Sequence, residues 1–178
     1  MPTAHRCRIE SLDCIVVDGG PSPTIAVVIC HGYGASYEDL APLAGEWIGF
    51  LEGRAANFRF VFPDAPHTLA ALGMPEGRAW WPINMAAFAE AVQASRFDEL
   101  HDHEPPGIVQ SRQLLCETIV KVKDDIDGES TPLVLGGFSQ GAMLVLDASL
   151  RGDIAPPQTL FQFSGTVVCR PQWQPVLP

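Results

Sequence analysis

Gly137-Phe138-Ser139-Gln140-Gly141 sets a hydroxyl nucleophile between two glycines, where the apolar run Pro132 to Gly136 gives way to the helix-patterned run Ala142 to Leu150. Strand, G-x-S-x-G and helix in that order make a nucleophile elbow, a tight turn that lifts the seryl oxygen clear of its own backbone. A serine at a helix N-terminus also gains from the helix dipole once negative charge develops on it or its adduct. The chemistry this suggests is acyl transfer, which needs N–H donors aimed at an oxyanion. Such donors come from the residue after the nucleophile, Gln140, and from a loop after an earlier strand. His31-Gly32-Tyr33-Gly34 follows the β-branched run Thr24 to Cys30 and supplies that loop, with Tyr33 as the second donor. On its own, His31 to Gly34 is a glycine-rich turn; the elbow downstream gives it a role.

The elements that would position these groups follow from periodicity. Ile15 to Val17 and Ile25 to Cys30 are expected strands, and the turn-rich Asp18 to Pro23 between them suggests a hairpin or an adjacent pair. Leu40, Leu43, Trp47 and Leu51 recur at helical spacing, with Asp39 as expected N-cap and Pro42 in the first turn. Phe58 to Phe62 is the next strand, and Pro63-Asp64-Ala65-Pro66 forces a loop that runs to about Trp81. Ile83 to Ala94 is helical in pattern, and Asp98 to Pro106 is expected as an exposed excursion. Leu115, Ile119 and Val122 mark one face of a helix closed by Asp127-Gly128. Leu133 to Leu135, the elbow, its helix and a last strand, Thr159 to Phe163, complete an α/β pattern: one domain over residues 1–178, with a mostly parallel sheet covered by helices on both faces. The proline-rich tail from Pro171 reads as a connector.

Composition narrows the partners. The chain has 178 residues, 47% hydrophobic and 18% charged, enough for one ordinary core. Its net charge of −10, with Lys121 and Lys123 the only lysines, leaves no basic stripe for phosphates and argues against nucleic acid and anionic membrane surfaces. Five cysteines without C-x-x-C spacing suggest neither a disulfide framework nor a zinc site, and place the protein in a reducing, cytoplasmic compartment. No apolar run is long enough to span a membrane, and no metal or cofactor is expected. His101-Asp102-His103-Glu104 reads as a polar loop and not a ligand set, because adjacent residues lack metal-binding spacing.

The order His31 to Gly34, Pro63 to Pro66, Gly77 to Trp80 and Gly137 to Gly141 resembles the phospholipase/carboxylesterase family of α/β-hydrolases, which includes the acyl-protein thioesterases. The resemblance runs from about residue 24 to 165. It implies an α/β-hydrolase fold and cofactor-independent hydrolysis of small acyl esters or thioesters. Ser139 would attack, Tyr33 and Gln140 would hold the oxyanion, and Trp80 would line the acyl side of the pocket. By themselves, Trp80 and Trp81 read equally well as loop anchors.

Two departures stand out. The oxyanion loop continues Gly34-Ala35-Ser36 where many relatives have Gly-Asp, a change expected to alter loop hydrogen bonding more than chemistry. More severely, residues 140–178 contain no histidine, and their only acids are Asp147, inside the elbow helix, and Asp153, just beyond it. In this fold the triad acid and base follow the nucleophile in the chain. His67 is the least unsuitable substitute, while His31 belongs to the oxyanion loop. The expectation is a C-terminally incomplete hydrolase lacking the last strands, acid, base and closing helix, with Thr159 to Phe163 left as an apolar sheet edge open to aggregation or homodimer formation. The alternatives are a non-catalytic binding or interaction protein without the triad, and a chain completed by another subunit.

Overall fold

A computed structural model describes residues 2–176. Its main sheet has six strands in the order β1-β2-β4-β3-β7-β8: β1 Thr3–Ile9, β2 Leu12–Asp18, β3 Ile25–Cys30, β4 Phe58–Pro63, β7 Leu133–Phe138 and β8 Thr159–Phe163. A separate hairpin joins β5 His67–Leu69 to β6 Met74–Ala79. β4, β3, β7 and β8 run parallel, whereas β1 and β2 are antiparallel. The central strand β3 is apolar on both faces, as a parallel strand covered on both sides must be.

Alternation along β3 divides the core. Ala26, Val28 and Cys30 join Leu135 under α5 Ile108–Asp124 and α6 Gln140–Arg151, through Leu115, Ile119, Leu144 and Val145. Val27 and Ile29 point the other way, with Phe60 and Phe62, toward Ala44 and Trp47 of α2 Pro42–Leu51. This is the mostly parallel sheet with helices on both faces that the pattern predicts.

Several expectations need correction. β2 and β3 are neither a hairpin nor adjacent, because β4 inserts between them. The strand after the glycine-rich loop thus pairs with both, in opposite directions. β1 is absent from the sequence reading because its pattern is polar and almost wholly exposed, as an edge strand allows. The first helix is capped by Ser36, not Asp39: the Ser36 hydroxyl accepts from the Glu38 amide and the Asp39 carboxylate accepts from the Ser36 amide. That helix is the single turn α1 Tyr37–Leu40, and Pro42 then opens α2. The stretch from Pro66 to Trp81 is the β5–β6 hairpin, not one loop. α3 Met85–Gln93 matches the expected helix. α4 Phe97–Asp102 occupies the expected excursion, and α7 Arg170–Trp173 forms in the tail. β8 is an open edge, with Leu160 and Phe163 exposed.

Candidate active site

Ser139 sits between β7 and α6 with φ 51° and ψ −114°, a strained conformation for a non-glycine residue. Holding it costs about 1–3 kcal/mol, and such outliers concentrate at functional sites. Its N–H donates to the Phe163 carbonyl at 2.8 Å, tying the turn to β8. The flanking glycines are steric necessities. A Cβ at Gly137 would lie 2.5 Å from the Gly141 backbone, and one at Gly141 would lie 2.2 Å from the Cys30 carbonyl oxygen. α6 therefore crosses the end of β3 at a distance only glycine permits.

The loop after β3 lies beside Ser139. A Cβ at Gly32 would stand 3.3 Å from the Ser139 Cβ and 3.1 Å from the Phe138 ring. Among the described residues neither the Tyr33 nor the Gln140 N–H has an acceptor, the state an oxyanion donor requires. Gly34 takes φ 81°, its N–H donates to the Arg78 carbonyl at 2.9 Å, and the Arg78 N–H donates to Ala35. β6 comes this near because Gly77 faces the Gly34 carbonyl, where a Cβ would be 3.1 Å away.

A buried hydrogen-bond network explains why the motifs occur together. The Gln140 side chain has no exposed surface: its Oε1 accepts from the Trp80 N–H and its Nε2 donates to the Trp81 carbonyl, both at 2.8 Å. Trp80 Nε1 donates to the His31 carbonyl at 2.9 Å, and the Ser111 hydroxyl donates to the Trp80 carbonyl. Trp80 is thus fully buried, its ring 5.6 Å from that of His31. Its amide N–H, carbonyl and indole N–H are all spent on this clamp, so Trp80 anchors the loop after β3. The side-chain role of Gln140 escapes sequence reasoning, which used only its backbone. Gln140→Leu would bury the Trp80 N–H and the Trp81 carbonyl without partners, and is expected to cost about 2–5 kcal/mol in urea unfolding. The exposed Gln162→Ala should leave the midpoint unchanged.

His31 is buried and committed at both nitrogens. Nδ1 lies 2.8 Å from the Gly32 carbonyl, and Nε2 accepts from the Ala65 N–H at 3.1 Å, which assigns the proton to Nδ1. Asp64 Oδ1 also lies 3.2 Å from Nε2, but a ring nitrogen accepting from Ala65 has no proton to give it. Asp64 is satisfied by the Tyr37 N–H and by Arg78 instead. Sequence reasoning also missed this Asp64–Arg78 brace, since the two residues fill variable positions of motifs that lie apart in the chain and meet only in the fold.

The other candidates are placed elsewhere. His67 packs its Nε2, buried and without a hydrogen-bond partner among the described residues, against Gly107. Asp147 is fully buried and accepts from Arg112 at 2.6 Å, Arg151 at 3.1 Å and Trp173 Nε1 at 2.7 Å. Asp102 of the polar cluster pairs with Arg170 and Glu104 with Arg151. No cluster with metal-ligand composition occurs among the described residues. Burial pushes the Cys14 thiol up to about 12 and Cys116 and Cys169 up to about 11, so these are not thiolate nucleophiles at neutral pH. A cleft of about 500 Å³ is lined by residues of mixed charge, Arg112, Glu117 and Arg151 among them, and by none of the motif residues.

The strand order, the elbow and the glycine loop beside it define an α/β-hydrolase fold. The phospholipase/carboxylesterase family model matches residues 13–176, and the chain belongs to that family. It is 28% identical over 138 residues to acyl-protein thioesterase 1 of Emericella nidulans, covering 73% of this chain and 52% of the relative. It is 32% identical over 127 residues to acyl-protein thioesterase 1 of Yarrowia lipolytica, covering 69% and 49%. The chain thus spans about half the length of the curated relatives it matches. In fold it is similar to the crystal structure of esterase PE8, with a TM-score of 0.67 and 24% identity over 90% of this chain and 66% of that one. Zea mays acyl-protein thioesterase 2 gives 0.53 and 17% over 97% and 66%.

Proposed function

We propose that this chain carries the nucleophile and oxyanion half of a serine hydrolase for carboxylic esters or thioesters. Ser139 Oγ attacks the acyl carbonyl, and the oxyanion that forms accepts from the Tyr33 and Gln140 N–H groups. Collapse expels the alcohol or thiol and leaves an acyl-Ser139, which water then hydrolyses. The observation that carries this reading is the strained Ser139 backbone with Gly32 packed directly against it. Short to medium acyl chains are the substrate class, and the free cysteines suit a cytoplasmic setting.

The acid and base of that reaction are not supplied by residues 140–178, which hold no histidine and spend Asp147 on two arginines and an indole. The same observation favours a second reading, a binding protein that keeps the fold without the triad. Hydrolysis of p-nitrophenyl esters of graded chain length, and of a matched thioester, by the complete gene product separates the two. Turnover on short and medium chains is expected; a folded product inactive on all of them overturns the hydrolytic reading.

A further inference from the structure

All five cysteines are free, and the sheet sets two of them face to face. Cys7 of β1 and Cys14 of β2 are direct partners in the antiparallel register fixed by the two-residue turn Glu10-Ser11 between Ile9 and Leu12. Residues opposite one another in such a pair project from the same side of the sheet. Both thiols accordingly meet the core under α5, Cys14 buried within it and Cys7 packed against its rim. Cys30 belongs to the same core, but β4 stands between β2 and β3 and keeps it at least two strand spacings, about 9.6 Å, from Cys14. That exceeds the Cα separation of about 7 Å that a disulfide can bridge.

The kind of pair decides how a bond between Cys7 and Cys14 would behave. Carbonyls alternate in direction along a strand, and the Asp13 carbonyl faces β4, where it accepts from the Asp64 N–H at 2.7 Å. The Cys14 carbonyl therefore faces β1, so Cys7 and Cys14 form a hydrogen-bonded pair, and Pro63, the partner of Cys14 in β4, has no N–H to donate there. In pairs of this type the Cα atoms stand about 5.5 Å apart, inside the disulfide range, while the Cβ atoms are up to about 5.5 Å apart against a disulfide mean of about 3.8 Å. Closing the bond must draw the strands together, and a bond under such strain is readily reduced. β1 is a largely exposed edge strand paired with β2 alone, which leaves it room for that movement.

Access to the two thiols is unequal. Cys7 opens on a cleft of about 340 Å³ shared with His5, Arg59 and Lys121, whereas Cys14 has no exposed surface. Burial raises both thiols, Cys14 to about 12, but at Cys7 the Arg59 guanidinium works against the rise. Cys7 is the thiol that an oxidant meets first, and Cys14 is placed to resolve the adduct. The Cys14 Sγ donates to the Leu12 carbonyl at 3.6 Å, a weak bond that rotation about χ1 gives up.

We propose that Cys7 and Cys14 form a reversible dithiol–disulfide site, open in a reducing compartment and closed by glutathione disulfide. The Cys7 thiolate attacks one sulfur of glutathione disulfide, breaking its S–S bond and releasing one glutathione. The Cys14 sulfur then attacks Cys7 in the mixed disulfide, breaking that bond and releasing the second glutathione. The two thiol protons leave with the two glutathiones; the protein pair loses two electrons and glutathione disulfide gains them.

Counting thiols tests this with no turnover involved, so its outcome is separate from the hydrolytic reading. The full chain is reduced, incubated folded with excess glutathione disulfide, then unfolded and alkylated. It is expected to have lost two of its five thiols without gaining the mass of glutathione, and peptide fragmentation should place the bond between Cys7 and Cys14. Cys7→Ser, on the exposed edge strand, should leave Cys14 reduced under the same treatment, and excess reduced glutathione should restore all five thiols of the unaltered chain. Retention of all five thiols, a lasting glutathione adduct on Cys7, a bond to Cys30 or between two chains, or a bond that survives excess reduced glutathione would each overturn the proposal.

Discussion

Ser139→Ala in the complete gene product is expected to lower kcat for p-nitrophenyl butyrate by about a thousandfold to a millionfold, with the melting temperature unchanged or raised. The range follows from serine hydrolases in which loss of the nucleophile leaves only oxyanion and binding contributions. The stability side follows from the backbone. At φ 51° and ψ −114° neither serine nor alanine is relaxed, so alanine removes a hydroxyl without relieving strain. Ser139→Gly separates the two effects: glycine tolerates this region, so it should abolish turnover while stabilising the fold by up to about 1–3 kcal/mol. Stability and activity moving in opposite directions at one residue would mark strain held for function.

Asp147→Ala is expected to destabilise the fold by about 3–5 kcal/mol in urea unfolding. The carboxylate has no exposed surface, and its two oxygens hold Arg112 of α5, Arg151 of α6 and the Trp173 indole of α7. Its removal leaves Arg112, itself only 13% exposed, without a counter-ion. Because the Trp173 indole N–H loses its acceptor, the variant should also show a red-shifted tryptophan emission before unfolding. Breaking the exposed Arg6–Glu38 pair should change neither reading, since solvent screens it.

Much of the site was legible because glycine leaves sharp traces. Gly137 and Gly141 are fixed because an added Cβ would stand 2.5 and 2.2 Å from neighbouring backbone, and no other residue type fits there. The continuous apolar run of β3 announced a strand covered on both faces. What stayed hidden depends on partners far away in sequence. β1 is polar and is held by backbone pairing to β2, which leaves no periodic signature. The insertion of β4 between β2 and β3 is a matter of topology, which local spacing cannot report. Gln140 looked like a backbone donor with an incidental side chain. Its second role needs Trp80 and Trp81, sixty and fifty-nine residues away, to fold against it. For Trp80 the sequence left an anchor and a pocket wall equally open, because its hydrogen bond to the His31 carbonyl is visible only once β6 lies beside the loop after β3.

The most direct test of Ser139 as an activated nucleophile is covalent. The complete gene product is treated with a fluorophosphonate, digested, and its peptides weighed. A single stoichiometric adduct on the peptide containing Ser139, absent from Ser139→Ala, is the predicted result. An adduct on another serine, or ester turnover that persists with Ser139 unmodified, would contradict it.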